Sequence, residues 1–347
     1  MDDPMSAPDP TAPTISLIDV ASYLPENRVP AEYFAQFAES DDLAGNLMFR
    51  APKFRHHAAP DETSTDMIER AMMPLLDRHG SEMLDDVDIL ITHSQLPELP
   101  VVGCGGEVAH RLGIKPETVI DVHNGGCASF IHMMKLAQQL MIASGARKAL
   151  IVNAQNSAGQ VFVQDQVRGK PQAAIPGDGA SVGLLELSGS SPVLAVTCRT
   201  YGEYAGDMTS VSTPQRKYWE AGPGQIHVGF TEAKISKVLA RGNRLVPEVA
   251  YDVADKIGVR PSELDWFITN QPNRIFLRNW RDAMELPETR HPDTFEECGN
   301  LFGVGVPLTL DTAVSDGRIQ SGDIVMMAAF AHAGDFAGAT AVRWGGR

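Results

Sequence analysis

Asn124-Gly-Gly-Cys127 is the stretch whose residue types most plainly offer chemistry. Before it, the apolar run Val119 to Val122 predicts a short buried strand. After it, from Ala128 onward, Phe130, Met133, Met134, Ala137 and Met141 recur with helical spacing. Two glycines permit a strand-to-helix reversal that residues with a β-carbon would resist. Cys127 is left at that corner, where unpaired backbone N–H groups and the positive end of a helix dipole would stabilise a thiolate. An ordinary cysteine, with a pKa of about 8.5, is only a few per cent ionised at neutral pH, and such a corner lowers that by roughly a unit or more. The expectation is a nucleophile. The competing reading, a small thiol chosen because it packs, suits most free cysteines but suits a Gly-Gly corner poorly.

A sulfur that carries an acyl group needs neighbours that hold a carbonyl oxygen and move protons. Three downstream stretches are loop-like and contain amide, imidazole or carboxylate groups: Asn270-Gln-Pro-Asn-Arg274, Cys298-Gly-Asn-Leu-Phe-Gly-Val-Gly305 and Phe330-Ala-His-Ala-Gly-Asp-Phe336. His332 and Asp335 meet only if their loop turns; if it does, Asp335 orients His332, and His332 activates an acceptor or Cys127 itself. Otherwise His332 is a polar residue filling space. His93 stands where a strand ends, facing either the site or a subunit interface. His56-His57 diverge on any regular element and lack supporting carboxylates, so no metal site is expected.

The elements that must position these groups follow from periodicity. Thr14 to Ala21 predicts a first strand, Ala31 to Glu39 a helix, Thr63 to Arg78 an amphipathic helix, and Val87 to Thr92 a strand covered on both faces. The polar run Arg50 to Glu62 reads as surface. The chain also resembles itself. Asp88-Ile-Leu-Ile-Thr92 matches Asp265-Trp-Phe-Ile-Thr269 at an offset of 269 − 92 = 177 residues. Ser144-Gly145 before the strand Ala149 to Val152 matches Ser321-Gly322 before Ile324 to Met327 at the same offset. Asp66 to Arg78 falls on Asn243 to Asp255 without a gap. Two copies of one αβ unit are therefore expected, residues 14–187 and 188–347, related by a pseudo-twofold axis, after a disordered lead-in over residues 1–13.

The whole chain narrows the function classes. A formal charge of −15 over 347 residues argues against nucleic acid and anionic membrane as partners. No apolar run approaches the roughly 18 residues of a membrane span. Cys104, Cys127, Cys198 and Cys298 are far apart and form no CxxC, which fits a reducing, cytoplasmic setting.

Asn124-Gly-Gly-Cys-Ala-Ser-Phe130, Pro176-Gly-Asp-Gly-Ala180, Asn270-Gln-Pro-Asn273, Cys298-Gly-Asn300 and Gly338-Ala-Thr-Ala-Val-Arg-Trp344 together resemble the β-ketoacyl-ACP synthase III family of the thiolase superfamily. The resemblance runs from about Ile15 to Trp344. It implies a duplicated αβαβα fold of the α/β class, a homodimer, and Cys127 as the residue acylated by a CoA or acyl-carrier-protein thioester, with no permanently bound cofactor. It implies a substrate tunnel shaped around Leu96 to Cys104 and Val161 to Val167, with Asn273 of the matched motif beside substrate; Arg274, Arg278 and Arg281 follow at near-helical intervals, either as a solvated face or as a docking patch for CoA phosphates or an acidic carrier protein. It also places the Gly334 loop where relatives use a backbone N–H in the oxyanion hole. One position departs: relatives carry histidine where this chain has Asn270, while the second family residue is kept as Asn300. An amide hydrogen-bonds but does not shuttle a proton at neutral pH, and losing general acid–base help costs roughly 10²–10⁴-fold in rate. An acyltransferase of specialised, polyketide-type metabolism that serves a small-molecule acceptor is therefore expected. The alternatives are a carbon–carbon condensing synthase and a non-catalytic partner subunit of one.

Overall fold

The computed structural model describes residues 14–38, 47–94, 103–213, 225–229 and 232–347. The lead-in over 1–13, the end of the helix expected at Glu39 and the expected tunnel residues 96–102 lie outside them.

Two sheets and five main helices position the site. The first sheet holds β1 (Ser16–Tyr23), β2 (Ile89–Ser94), β3 (Thr118–Asp121), β4 (Lys148–Gln155) and β5 (Gly179–Glu186) in the order β1-β5-β4-β2-β3. The second holds β6 (Val193–Thr200), β7 (Trp266–Thr269), β8 (Ile324–Ala331) and β9 (Phe336–Arg343) in the order β7-β8-β9-β6. Each sheet has an equivalent parallel pair, β2 with β4 and β7 with β8, and the remaining pairs of the shared set are antiparallel. The sheets therefore superpose strand for strand except for β3, which pairs only in the first.

Helices α1 (Ser64–His79), α2 (Ser129–Ser144), α3 (Glu232–Ile257), α4 (Arg274–Ala283) and α5 (Gly305–Ser315) complete the layers. Thr63 starts α1 with a reciprocal capping box: its hydroxyl accepts from the Asp66 N–H at 3.1 Å and its own N–H donates to the Asp66 carboxylate at 2.8 Å. α2 is buried along much of its length because it lies between the sheets. Its Met133, Met134, Ala137 and Met141 share one core with Val306, Leu310 and Ala313 of α5 and with inward residues of β2, β4, β7 and β8. A helix covered on several sides is selected for apolar residues rather than for a narrow stripe. α1 covers the outer face of the first sheet through Met67, Ile68, Ala71 and Leu75, and α3 covers the second through Leu245, Val249 and Val253. The layers therefore run helix, sheet, paired helices, sheet, helix, as the repeat in the sequence implies.

Two local expectations are corrected. The helix after Pro30 spans only Glu32–Ala35. The polar run from Arg50 is not all surface: Phe54–His57 pairs antiparallel with Asn27–Pro30, and alternation turns Arg55 and His57 inward, leaving Arg55 0% exposed over the Phe34 ring.

Candidate active site

Alternation along the central strands decides which polar residues face the middle layer. On β2, Ile89 and Ile91 belong to the central core and Leu90 to the outer one, so His93 continues the inward set. On β7, Ile268 faces the central core and Phe267 the outer one, so Asn270, just past the strand, also faces inward. Asn153 of β4 is register partner to His93 and accepts a hydrogen bond from the Ser129 hydroxyl at 2.6 Å. In the sequence this Ser129–Asn153 pair shows only as a polar residue interrupting the apolar run of β4.

Cys127 occupies the middle of a 3₁₀ turn, Gly126–Ala128, that feeds α2. Gly126 has φ +48°, and a β-carbon there would lie 2.9 Å from His332 Nε2 and 3.0 Å from the Ala331 side chain. The glycine thus serves two ends: it takes a backbone conformation that side chains resist, and it leaves room for the imidazole edge.

His332 lies immediately after β8 with φ +48°, a costly conformation for a residue with a side chain. The loop does turn. His332 Nδ1 meets both carboxylate oxygens of Asp335, at 2.9 and 3.1 Å. That bidentate contact fixes Nδ1 as the proton-bearing nitrogen and leaves Nε2 as the lone-pair nitrogen beside Gly126. The two side chains are about one-fifth exposed, so the dyad is reachable.

The resting sulfur corrects the expectation of a thiolate. Cys127 is 7% exposed, and burial pushes its thiol up to about 12, opposed by its own backbone N–H and by the Asn270 amide and reinforced by the Asp335 charge. A thiol two residues short of α2 and sealed from water gains less from the helix terminus than it loses in hydration. Asn270 is itself 0% exposed, and neither of its polar atoms has a partner of full hydrogen-bond geometry. Sulfur attack therefore requires proton removal as the new bond forms, a task for a neighbouring base.

Asn300 lies on the loop before α5, with its side-chain oxygen accepting from the Phe302 N–H at 3.1 Å. Its backbone is stitched to the Pro176-Gly-Asp-Gly turn by Asn300 N–H to Ile175 C=O at 3.0 Å and Gly177 N–H to Asn300 C=O at 3.1 Å. The glycines there have a reason: a β-carbon on Gly177 would lie 2.2 Å from the Cys298 carbonyl, and one on Gly299 2.4 Å from the Ile175 carbonyl. Asp178 of the same turn accepts backbone N–H groups from Ala58, Ala158 and Gly159 at 2.7 to 2.9 Å.

Three residues expected beside substrate have partners within the chain. Asn273 caps α4, accepting from the Phe276 N–H at 3.0 Å. Arg274 is paired with Glu296 and donates to the carbonyls of Arg50 and Ala51 at 3.3 Å each. The Gly334 N–H donates to the Ala331 carbonyl at 2.9 Å, which closes the turn that brings His332 back to Asp335. Among the described residues, no group of three or more His, Cys, Asp or Glu side chains is arranged to hold a metal, and no helix is long and apolar enough to cross a membrane.

A paired-helix layer between two superposable sheets, with a cysteine turn at the seam, defines a thiolase-like α/β protein. Solved structures agree. The chain matches a β-ketoacyl-ACP synthase III from Thermus thermophilus with a TM-score of 0.82 at 24% identity, covering 96% of this chain and 100% of that one. It matches OleA from Xanthomonas campestris with a TM-score of 0.80 at 18% identity, covering 95% and 97%. Residues 120–202 match the family model of 3-oxoacyl-[acyl-carrier-protein] synthase III, and residues 254–344 match the model of its C-terminal part. A β-ketoacyl-ACP synthase III of Thioalkalivibrio sulfidiphilus is 28% identical over 280 residues, 80% of this chain and 84% of that protein. That of Bartonella bacilliformis is 26% identical over 336 residues, 94% and 98%. The chain belongs to the 3-oxoacyl-ACP synthase III family, and it is a transferase of the ketoacyl synthase III type.

Proposed function

We propose that this chain is an acyltransferase that carries its cargo on Cys127. A CoA or acyl-carrier-protein thioester delivers the acyl group. The Cys127 sulfur attacks the thioester carbon as His332 Nε2 takes the thiol proton; the carbon–sulfur bond to the carrier breaks, and the carrier thiol leaves with that proton. A small-molecule acceptor then gives its proton to His332, attacks the acyl carbon, and releases the Cys127 sulfur, which regains the proton. Asp335 holds the imidazole in the tautomer and orientation both steps require. The setting we infer is specialised, polyketide-type metabolism in the cytoplasm, with a homodimer as the working unit.

The observation that carries this reading is the His332–Asp335 dyad, its free nitrogen against Gly126, in a chain with asparagine at position 270. A carbon–carbon condensation is the second reading, favoured by the retained Asn300 and by the activity named for the relatives above. Carboxyl-labelled malonyl-CoA separates the two. With acyl-Cys127 preformed, the transferase reading expects no release of labelled CO₂ above the rate of the Cys127→Ala protein. Sustained release would replace it with condensation.

A further inference from the structure

The equivalent strands β2 and β7 carry different residues at equivalent places: His93 after Thr92, and Asn270 after Thr269. Alternation turns both side chains into the middle layer. Both are sealed, His93 2% and Asn270 0% exposed. Among the described residues, neither nitrogen of the His93 ring and neither polar atom of the Asn270 amide has a partner of full hydrogen-bond geometry. Polar atoms sealed in this way are expensive, because they have given up water without a well-formed replacement. They lie near the reacting groups: the His332 imidazole neighbours His93, and the Asn270 amide acts on the Cys127 sulfur.

We propose that His93 and Asn270 together form a neutral hydrogen-bonding clamp that holds the acceptor, and that the acceptor presents a hydroxyl group. This rests on the acyl-Cys127 reading above. A neutral imidazole supplies one N–H and one lone pair, and a carboxamide supplies donors and an acceptor, so the pair complements a group that both donates and accepts. A hydroxyl is such a group. A carboxylate or an ammonium ion would enter a sealed space where neither clamp residue carries compensating charge. Burial, helped by the neighbouring imidazoles of His332, His123 and His132, holds His93 down to about 3, so it stays neutral and binds while His332 carries the proton. The imidazole that relatives place at position 270 thus has a counterpart here on the other side of the pseudo-twofold axis.

Single-turnover intact-mass measurement with hexanoyl-CoA tests the proposal, following loading of Cys127 and then its discharge into buffer, 1-propanol or malonyl-CoA. The wild type is expected to discharge faster into 1-propanol than into buffer or malonyl-CoA. His93→Asn is expected to slow propanol discharge roughly 10²-fold more than it slows loading. The double variant His93→Asn/Asn270→His, which exchanges the clamp residues, is expected to recover at least about tenfold of that loss. His93→Gln, read in parallel, serves if the asparagine variant does not fold, with the same expectation. Discharge by the variants within about threefold of wild type, or an equal loss in loading and discharge, would overturn the clamp while leaving the transferase reading intact. Discharge of the wild type into malonyl-CoA alone would overturn the hydroxyl acceptor. A folded wild type that never loads would overturn the transferase reading and the clamp with it.

Discussion

The turn that carries Cys127 has a twin. Gly126–Ala128 leads into α2, and Phe302–Val304 leads into α5, each a single 3₁₀ turn that ends immediately before its helix. Gly126 and Phe302 share φ +48°, so the two backbones are alike where their side chains differ most. At the place equivalent to Cys127 the second turn has Gly303, where a β-carbon would lie 2.2 Å from the Ser129 hydroxyl and 3.0 Å from the Gly126 carbonyl. The turns are pressed back to back, and only one of them has space for a side chain at its centre. The two corners are equivalent; close approach leaves room for a side chain at the centre of one and requires the other to give up its own. The base follows the same asymmetry, since His332 belongs to the second half but reaches the first half's turn.

The largest effect should come from separating the corner with the nucleophile from the half that serves it. His332→Asn is expected to lower transfer through Cys127 by roughly 10²–10⁴-fold, and Asp335→Asn by less, because the imidazole remains but loses its fixed tautomer. Single-turnover loading and discharge measure both. Unchanged rates in His332→Asn would mean that the first corner needs nothing from the second half.

A smaller effect should come from forcing the twin corners apart. Gly303→Ala is expected to destabilise the fold by about 1–3 kcal/mol, as overpacking of a rigid site does, read by denaturant unfolding. Ser129→Ala removes the nearest obstructing atom, so the double variant Gly303→Ala/Ser129→Ala is expected to lose less than the two single losses combined. Simple additivity would show that the turns do not press on each other as described.

The smallest effect concerns buried histidines beside equivalent strands. His93 lies one residue before the end of β2, and His291 stacks on Phe267 of β7 with Nε2 2.9 Å from the Thr269 hydroxyl. Burial holds both down to about 3 and His57 to about 4. At these three positions the unfolded chain binds more protons than the folded one below about pH 6.5, so their contribution to stability is fully present above that pH and falls as pH drops towards 4. Each such histidine contributes up to about 1.4 kcal/mol per pH unit in that window. His93→Asn should flatten the decline between pH 6.5 and 5.5 by about 1 kcal/mol, measured by urea unfolding.

Much of this architecture is legible in the sequence because it is written in periodicity. Equivalent strands and helices recur at a nearly constant offset, and the Gly-Gly corner marks the turn that carries Cys127 before any coordinates exist. What periodicity cannot carry is competition for partners and the depth of burial. Asn273, Arg274 and Gly334 have the chemistry to touch substrate, but a helix cap, an ion pair with Glu296 and a turn hydrogen bond engage them first. The Cys127 corner suggests an acidic thiol, yet acidity depends on water access, which is set by side chains hundreds of residues apart in sequence. Arg55 and His57 look like surface because the run Phe54-Arg-His-His57 has no apolar alternation; the rings that meet them, Tyr33 and Phe34, come from elsewhere in the chain.

Intact-protein mass spectrometry tests the central claim most directly: wild type and Cys127→Ala are each exposed to hexanoyl-CoA, quenched over time and mapped by peptide. The wild type should gain one hexanoyl mass on the peptide containing Cys127, and the alanine protein none. A folded wild type that gains nothing, or gains it on another residue, would contradict the claim that the seam between the two halves exists to load this sulfur.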